Sequence, residues 1–471
     1  MVEGYLIRSL RGNIMTNTHR PPIASGSEVA RSVCFPNPSG RYDIVDNDNG
    51  LPIKFADGPQ LDSFSRVRVS IPRAEWEGKH LYGEDSHSYQ NYSVGAGSGH
   101  AYRSSESSVR ITCDTGASDK VIHQTKKYIP YIPGHSQIAF ATFIMHEAPS
   151  ANCRKRVGRF DNYNGPYLEW NDTDIRFVVR TDTSGTPVDT AYWVQSDWNL
   201  DTLDGSGDSN NPSGLTLDLT KDQILVIDFQ WLGVGRVRFG FDLGGSVIFC
   251  HEVNHANTDE IVYMRNPTLP VRWEISNDGA TTQSNYLDMI CSSISTEGDL
   301  DPQAHDYSVF TTPISVTTTR TPILAIRQSP TFNSKENRRT SILNTFDVIA
   351  LGDNILYEAI QYPTPDITIT GDWVYLDADH STLQYAIGGN IAVNSETGSH
   401  PFLSGFVSSS TSGNKISPGV TSTNLPIRTH HNEMLVNYDA TDCETIVIWA
   451  RSLSLDIGVT VGVAANCVEF G

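Results

Sequence analysis

Residues 223–256 read QILVIDFQWLGVGRVRFGFDLGGSVIFCHEVNHA, and the reading of this stretch decides the fold. Ile227, Phe229 and Trp231 alternate with Asp228 and Gln230. Beyond Leu232-Gly233-Val234-Gly235, which can turn the chain, Val237, Phe239 and Phe241 alternate with Arg236 and Arg238. A period of two is the mark of an extended chain with one buried face. Gly244-Gly245 then opens a third apolar, β-branched and aromatic run, which ends in His251-Glu252-Val253-Asn254-His255. That pentapeptide is a literal match to the H-E-x-x-H signature of zinc proteases. In the protease motif the histidines lie on one helix face, about 6 Å apart, where one metal reaches both. On an extended chain they share a face but lie roughly 13 Å apart. Bonds of about 2.0–2.1 Å to a single Zn²⁺ cannot bridge that gap. No helix formers at helical spacing and no nearby third ligand accompany the motif. It therefore reads as a strand end whose polar side chains face a neighbouring loop or subunit, with no metal ligand and no catalytic residue assigned.

Composition agrees with an all-β class. The chain has 471 residues, 37 Gly and 24 Pro, and only 19% charged residues, fewer than the roughly 25% of average soluble domains. A formal net charge of −20 opposes binding to nucleic acid and anionic lipid. The basic runs Arg154-Lys155-Arg156 and Arg338-Arg339 are short and isolated, and read as solvated faces, not as a phosphate track. The seven cysteines, Cys34, Cys113, Cys153, Cys250, Cys291, Cys443 and Cys467, are odd in number and contain no C-x-x-C. They read as free thiols of a reducing cytoplasm, not as a disulfide framework or a cysteine zinc site. Residues 1–21 lack the apolar core of a secretory signal, and no run reaches membrane-spanning length.

Four regions are expected. Residues 1–60, rich in Asn, Pro, Gly and Asp, read as an extended N-terminal arm with too few apolar residues for a core of its own. Residues 61–298 carry alternating strands with an aromatic face, as a two-sheet sandwich requires. Its strand-like runs include 127–132, 138–145, 167–170, 175–180 and 271–275. Residues 299–322 read as a linker and 323–471 as a second, smaller β domain. Strands are expected there at 355–360, 367–370 and 446–449, with a polar loop at 408–423.

Three further constellations have chemical readings. Glu297, Asp299 and Asp301 alternate, which on a strand places neighbouring carboxylates roughly 6.6 Å apart, as in some sandwich-fold glycosidases. Gly298 and Pro302 interrupt such a strand, so a solvated loop is the preferred reading. Asp201, Asp204 and Asp208, with Gly205 and Gly207, offer oxygens to Ca²⁺, yet their spacing fits an ordinary polar loop better than an EF-hand. Tyr89, Tyr92, Tyr163 and Tyr167 would stack on sugars if exposed, although packing is the commoner role of such rings. No G-x-S-x-G elbow supports a serine hydrolase.

The segment 62–297 resembles a family of virion structural proteins of tailed bacteriophages of the marine and cyanobacterial type. The resemblance rests on DSFSRVRVS at 62–70, RKRVGRF at 154–160, QSDWN at 195–199, WLGVGRVRFG at 231–240, HEVNHAN at 251–257 and LPVRWEI at 269–275. Residues 356–360 and Gly388-Gly389 add a weaker likeness. It implies a jelly-roll or lectin-like sandwich, a non-enzymatic role in the particle (tail fibre, baseplate or capsid decoration), and no cofactor. It also places H-E-x-x-H on a strand and its following turn. The partners expected are other virion proteins and further copies of the chain, a trimer being compatible by analogy, in a virion assembled in the host cytoplasm. The alternative is a lectin-like protein that binds a host-surface polysaccharide; a zinc protease or depolymerase ranks below both.

Overall fold

The computed structural model describes residues 61–63, 67–68, 72–297, 304–363, 366–412, 415–417, 419–424, 432–454 and 459–470, together with two short strands further upstream. Those two, Cys34–Pro36 and Tyr42–Ile44, pair antiparallel and belong to a separate unit, Met1–Asp57. The rest of the expected arm, 1–60, lies outside the described residues. Gly58–Gly471 is one compact unit, all-β and antiparallel throughout, and it contains two sandwich lobes. Among the described residues the only helical turns are Gln195–Asp197 and Gly388–Asn390.

The first lobe packs two sheets. Sheet I has seven strands, in the order Val188–Val194, Ile175–Thr181, Gly165–Asn171, Cys153–Gly158, Arg272–Asn277, Lys120–Thr125 and Tyr89–Val94. Sheet II runs Ser246–Val253, Val237–Leu243, Gln223–Phe229, Gln137–Ile144, Asn285–Glu297, Ser108–Cys113 and Gly99–Arg103, with Pro72–Lys79 also on Asn285–Glu297. Val157, Leu168, Phe177 and Trp273 from sheet I meet Ile111, Phe143, Leu225 and Phe239 from sheet II in a single core. The alternation read at 225–241 is the cause: Leu225, Ile227, Phe229, Val237, Phe239 and Phe241 are all buried there. Gly244 and Gly245 (φ 65° and 83°) form the two-residue turn of the third hairpin, a conformation that demands positive φ at both positions.

The second lobe repeats the plan. Sheet III pairs Val459–Phe470 with Ala304–Phe310, Ile314–Val316 and Thr340–Leu351, which in turn pairs with Gly419–Asn424 and Glu433–Met434. Sheet IV is ordered Val374–Tyr375, Leu383–Ile387, Thr321–Gln328, Thr445–Ser452, Ile355–Tyr362 and His400–Val407. Leu343, Phe346 and Val461 close against Leu324, Ile446 and Ile448.

Three expectations change. The stretch 299–322 is no bare linker, because Ala304–Phe310 and Ile314–Val316 are strands of sheet III. They lie at its edge and bury only Val309 and Val316, which is why their composition reads as polar connection. Residues 127–132 form no strand, only a bridge from Ile129 to Leu269; Pro130 supplies no ladder donor. Conversely, the polar 408–423 region contains Ser410–Ser412, Lys415–Ser417 and Gly419–Asn424 as strands.

Candidate functional site

The H-E-x-x-H segment is a strand end and a turn. Ser246–Val253 pairs with Val237–Leu243, and the register shifts between Phe239, opposite His251, and Gly240, opposite Phe249. Cys250 is the extra residue of this β-bulge. Gly240 permits the close approach, since a Cβ there would lie 2.3 Å from the Ile248 carbonyl oxygen. The bulge leaves Cys250 in the core and His251 against Trp193, with ring centroids 4.8 Å apart. His251 is 3% exposed, and its Nδ1 accepts the Asn199 N–H at 3.2 Å. Burial lowers its pKa to about 4, against a small opposing pull from Asp197. Glu252 pairs with Arg236 at 2.9 Å, and its backbone is clasped by the Asn199 side chain. His255 stacks on Tyr263, with centroids 3.9 Å apart, and its Nδ1–H donates to the Gly235 carbonyl. His251 and Glu252 are thus both held by Asn199 while His255 is held by Gly235 and Tyr263, and the loop at 195–199 is the one that the polar strand end faces.

Sheet I carries an unusual outer face. Arg176, Glu169, Arg156 and Glu274 are register partners on four adjacent strands, giving a rung of alternating sign. Arg156 donates through Nε to Glu169 and through Nη1 to Glu274, both at 2.7 Å. Lys120 and Arg272 also reach Glu274, while Arg154 and Arg176 reach Glu169. Glu169 and Glu274 are no more than 1% exposed. Burial alone would raise both carboxyls, but the surrounding cations outweigh it and hold both below the usual range. The rung ties four adjacent strands of sheet I together through their side chains. The basic run 154–156 is therefore not a solvated face: Lys155 points inward and donates to the carbonyls of Met145 and Glu147.

The other sequence candidates separate. Glu297 ends its strand and pairs with Arg68 at 2.6 Å, whereas Asp299 and Asp301 lie outside the described residues. Asp201 accepts from Leu203 N, Asn211 Nδ2 and Ser213 N. Asp204 and Asp208 likewise cap their own loop amides, the usual work of Asx turns. Tyr89 and Tyr167 are buried, at 1% and 0% exposure, and Tyr92 packs on Tyr438 of the second lobe at 4.6 Å. Tyr163 is half-buried. The cysteines at 113, 153, 250, 291, 443 and 467 are free, and Cys34 lies in the separate upstream unit.

The lobes meet across features that no local pattern announces. Lys127 and Glu433, both under 9% exposed, pair at 2.6 Å; Lys126–Glu444 at 2.9 Å and Arg265–Glu336 at 3.2 Å flank them. Arg338 is 7% exposed, lies 4.0 Å from the Tyr128 ring centre and donates to the carbonyls of Asn437 and Tyr438. The second basic run is thus also partly interior. Between the lobes lies a cavity of about 740 Å³ bordered by Lys127, Tyr131, Phe332, Arg338, Glu433 and Phe470, among others. Sequence reasoning missed Lys127 and Glu433 because 306 residues separate them.

No protein-family model matches the chain, and no curated protein does. Among solved structures it is similar to the carbohydrate recognition domain of Emp47p, with 9% identity, 48% of this chain and 97% of that one covered, and a TM-score of 0.31. It is also similar to a legume lectin-like domain from Entamoeba histolytica (10% identity, 47% and 96% covered, TM-score 0.28). A glycoside hydrolase family 16 endo-glucanase from Bacteroides ovatus gives 6% identity, 46% and 99% covered, and a TM-score of 0.30. These likenesses concern the fold, which the sheet order and the two cores establish on their own as a pair of antiparallel β-sandwiches.

Proposed function

We propose that this chain is a non-enzymatic structural component of a tailed-phage particle that assembles through its N-terminal arm and its β lobes. One observation supports this reading above the others: many charged residues of the phage-like segments are engaged in ion pairs and hydrogen bonds within the molecule. Arg156, Arg272 and Glu274 belong to the buried rung. Arg159 donates to Gln137 at 2.6 Å, and Arg238 pairs with Asp228. Arg236 holds Glu252 and the carbonyls of Asp62 and Ser63. Side chains committed to such internal ties support a scaffolding role. Peptide mass spectrometry of gradient-purified particles, from a lysate in which the gene is expressed, tests the proposal. The chain is expected in the particle band at constant copy number, and its confinement to the soluble fraction would overturn the role.

A second reading, glycan binding, is favoured by the inter-lobe cavity, whose volume of about 740 Å³ lies in the range of small-molecule sites, roughly 300–1,000 Å³. Retention of the full-length chain on immobilised polysaccharide tests it, and clean flow-through would count against it.

A further inference from the structure

We infer that His87 and His400 form an acid-sensitive latch between the two lobes, closed while the pair carries at most one proton and released when both rings carry one.

The two rings come from different lobes. His87 lies in the turn that leads into Tyr89–Val94 of sheet I, and His400 opens His400–Val407, an edge strand of sheet IV. Their centroids are 3.6 Å apart and their planes cross at 89°, so the edge of one ring meets the face of the other. His87 is exposed and His400 half-buried, so the pair takes up protons from solvent. An edge-to-face contact suits two neutral rings. It also suits one imidazolium against one imidazole, because a cation is drawn to the face of an aromatic ring. Two imidazoliums at this separation are like charges in contact, and the second proton turns attraction into repulsion.

The surrounding charges leave that repulsion in place. A cavity of about 220 Å³ beside the pair is bordered by Lys126 and Glu444, which hold each other at 2.9 Å, and Gln361 also donates to Glu444. On the His87 side, Glu84 is paired with His100 at 3.1 Å, and Asp85 lies in the same turn, where its carbonyl accepts the N–H groups of Ser88 and Tyr89. On the His400 side, Arg320 holds Glu396 at 2.5 Å and Glu358 at 3.1 Å. Asp85 offsets at most one of the two imidazolium charges, and the other carboxylates are shared with cations of their own. Lys127–Glu433 and Arg265–Glu336 tie the lobes elsewhere, so release loosens this corner and leaves the lobes joined.

Hydrogen–deuterium exchange of the full chain tests the latch at pH 7.5 and 5.0, on either side of the ordinary imidazole midpoint of about 6.5. After scaling for the intrinsic exchange rate, peptides covering 85–90 and 396–403 should exchange at least about fivefold faster at the lower pH, with little change in the core strand Thr340–Leu351. His400→Phe and His87→Phe each keep a ring in the contact and allow only one charge, so either variant should lose the acceleration. An unchanged rate in the wild type would overturn the latch. So would an equal acceleration in the wild type and a folded variant, or one shared by Thr340–Leu351, which would place the acid response outside this pair.

Discussion

Lowering the pH should destabilise the first lobe through His251, and the size of the effect follows from its surroundings. The bulge at Cys250 turns His251 toward Trp193, and burial lowers its pKa to about 4. In the unfolded chain the imidazole titrates near about 6.5. Above that pH both states are neutral and the group contributes no pH dependence. Below it the unfolded chain takes up a proton that the folded lobe refuses, so stability falls until the pH reaches about 4. Between pH 7.5 and 4.5 this one side chain should remove about 2.5 kcal/mol. His251→Asn keeps an acceptor for the Asn199 N–H and deletes the titration. Urea unfolding followed by tryptophan fluorescence at the two pH values should show the wild type losing about 2.5 kcal/mol more than the variant. Equal losses in the two proteins would refute the assignment of a buried, neutral His251. Buried His123, whose pKa is also pushed well below its ordinary value by burial, should add a loss common to both.

The buried rung predicts that Arg156→Met, which leaves Glu169 and Glu274 short of their shared cation, costs about 3–5 kcal/mol; a loss under about 1 kcal/mol would mean that the rung is solvated. Across the lobes, Lys127→Met should be similarly costly, whereas adding Glu433→Leu should recover part of the loss. A double-mutant cycle should give a coupling of at least about 2 kcal/mol, and strict additivity would remove the pair as an inter-lobe tie. Burial pushes the thiols of Cys113, Cys153, Cys443 and Cys467 up to about 12. Among the cysteines of the unit Gly58–Gly471, a maleimide at pH 8 should therefore label half-buried Cys291 first and reach those four only in denaturant; mapping the adducts by mass spectrometry checks the order.

The legible part of the fold was the part written in neighbouring residues. Period-two alternation at 225–241 announces its strands and their inward face, and Gly244-Gly245 announces the turn. The bulge has no such signal, because it depends on which residue lies across from Gly240, and so the burial of His251 could not be foreseen. The rung failed for the same reason on a larger scale. Arg156 meets Glu169 and Glu274 at sequence separations of 13 and 118, and alone each looks like an ordinary solvent-facing charge. Sheet I breaks the usual rule that the charged face is the wet one. At 304–316 the error had a different origin: an edge strand needs only backbone partners and a few buried side chains, so polar composition does not exclude it.

The strand order also dictates when each lobe can close. Asn285–Glu297 lies in the interior of sheet II, hydrogen-bonded to Gln137–Ile144, Ser108–Cys113 and Pro72–Lys79, yet it is the last strand of its lobe to be made. Val459–Phe470 holds the same position in sheet III. A ribosome moving at about 5–20 residues per second needs roughly 11–45 s to pass from residue 72 to 297. Throughout that interval Gln137–Ile144, Ser108–Cys113 and Pro72–Lys79 lack the partner that Asn285–Glu297 supplies. Pairings of such long range are slow to form, so sheet II stays divided until its own final strand is made.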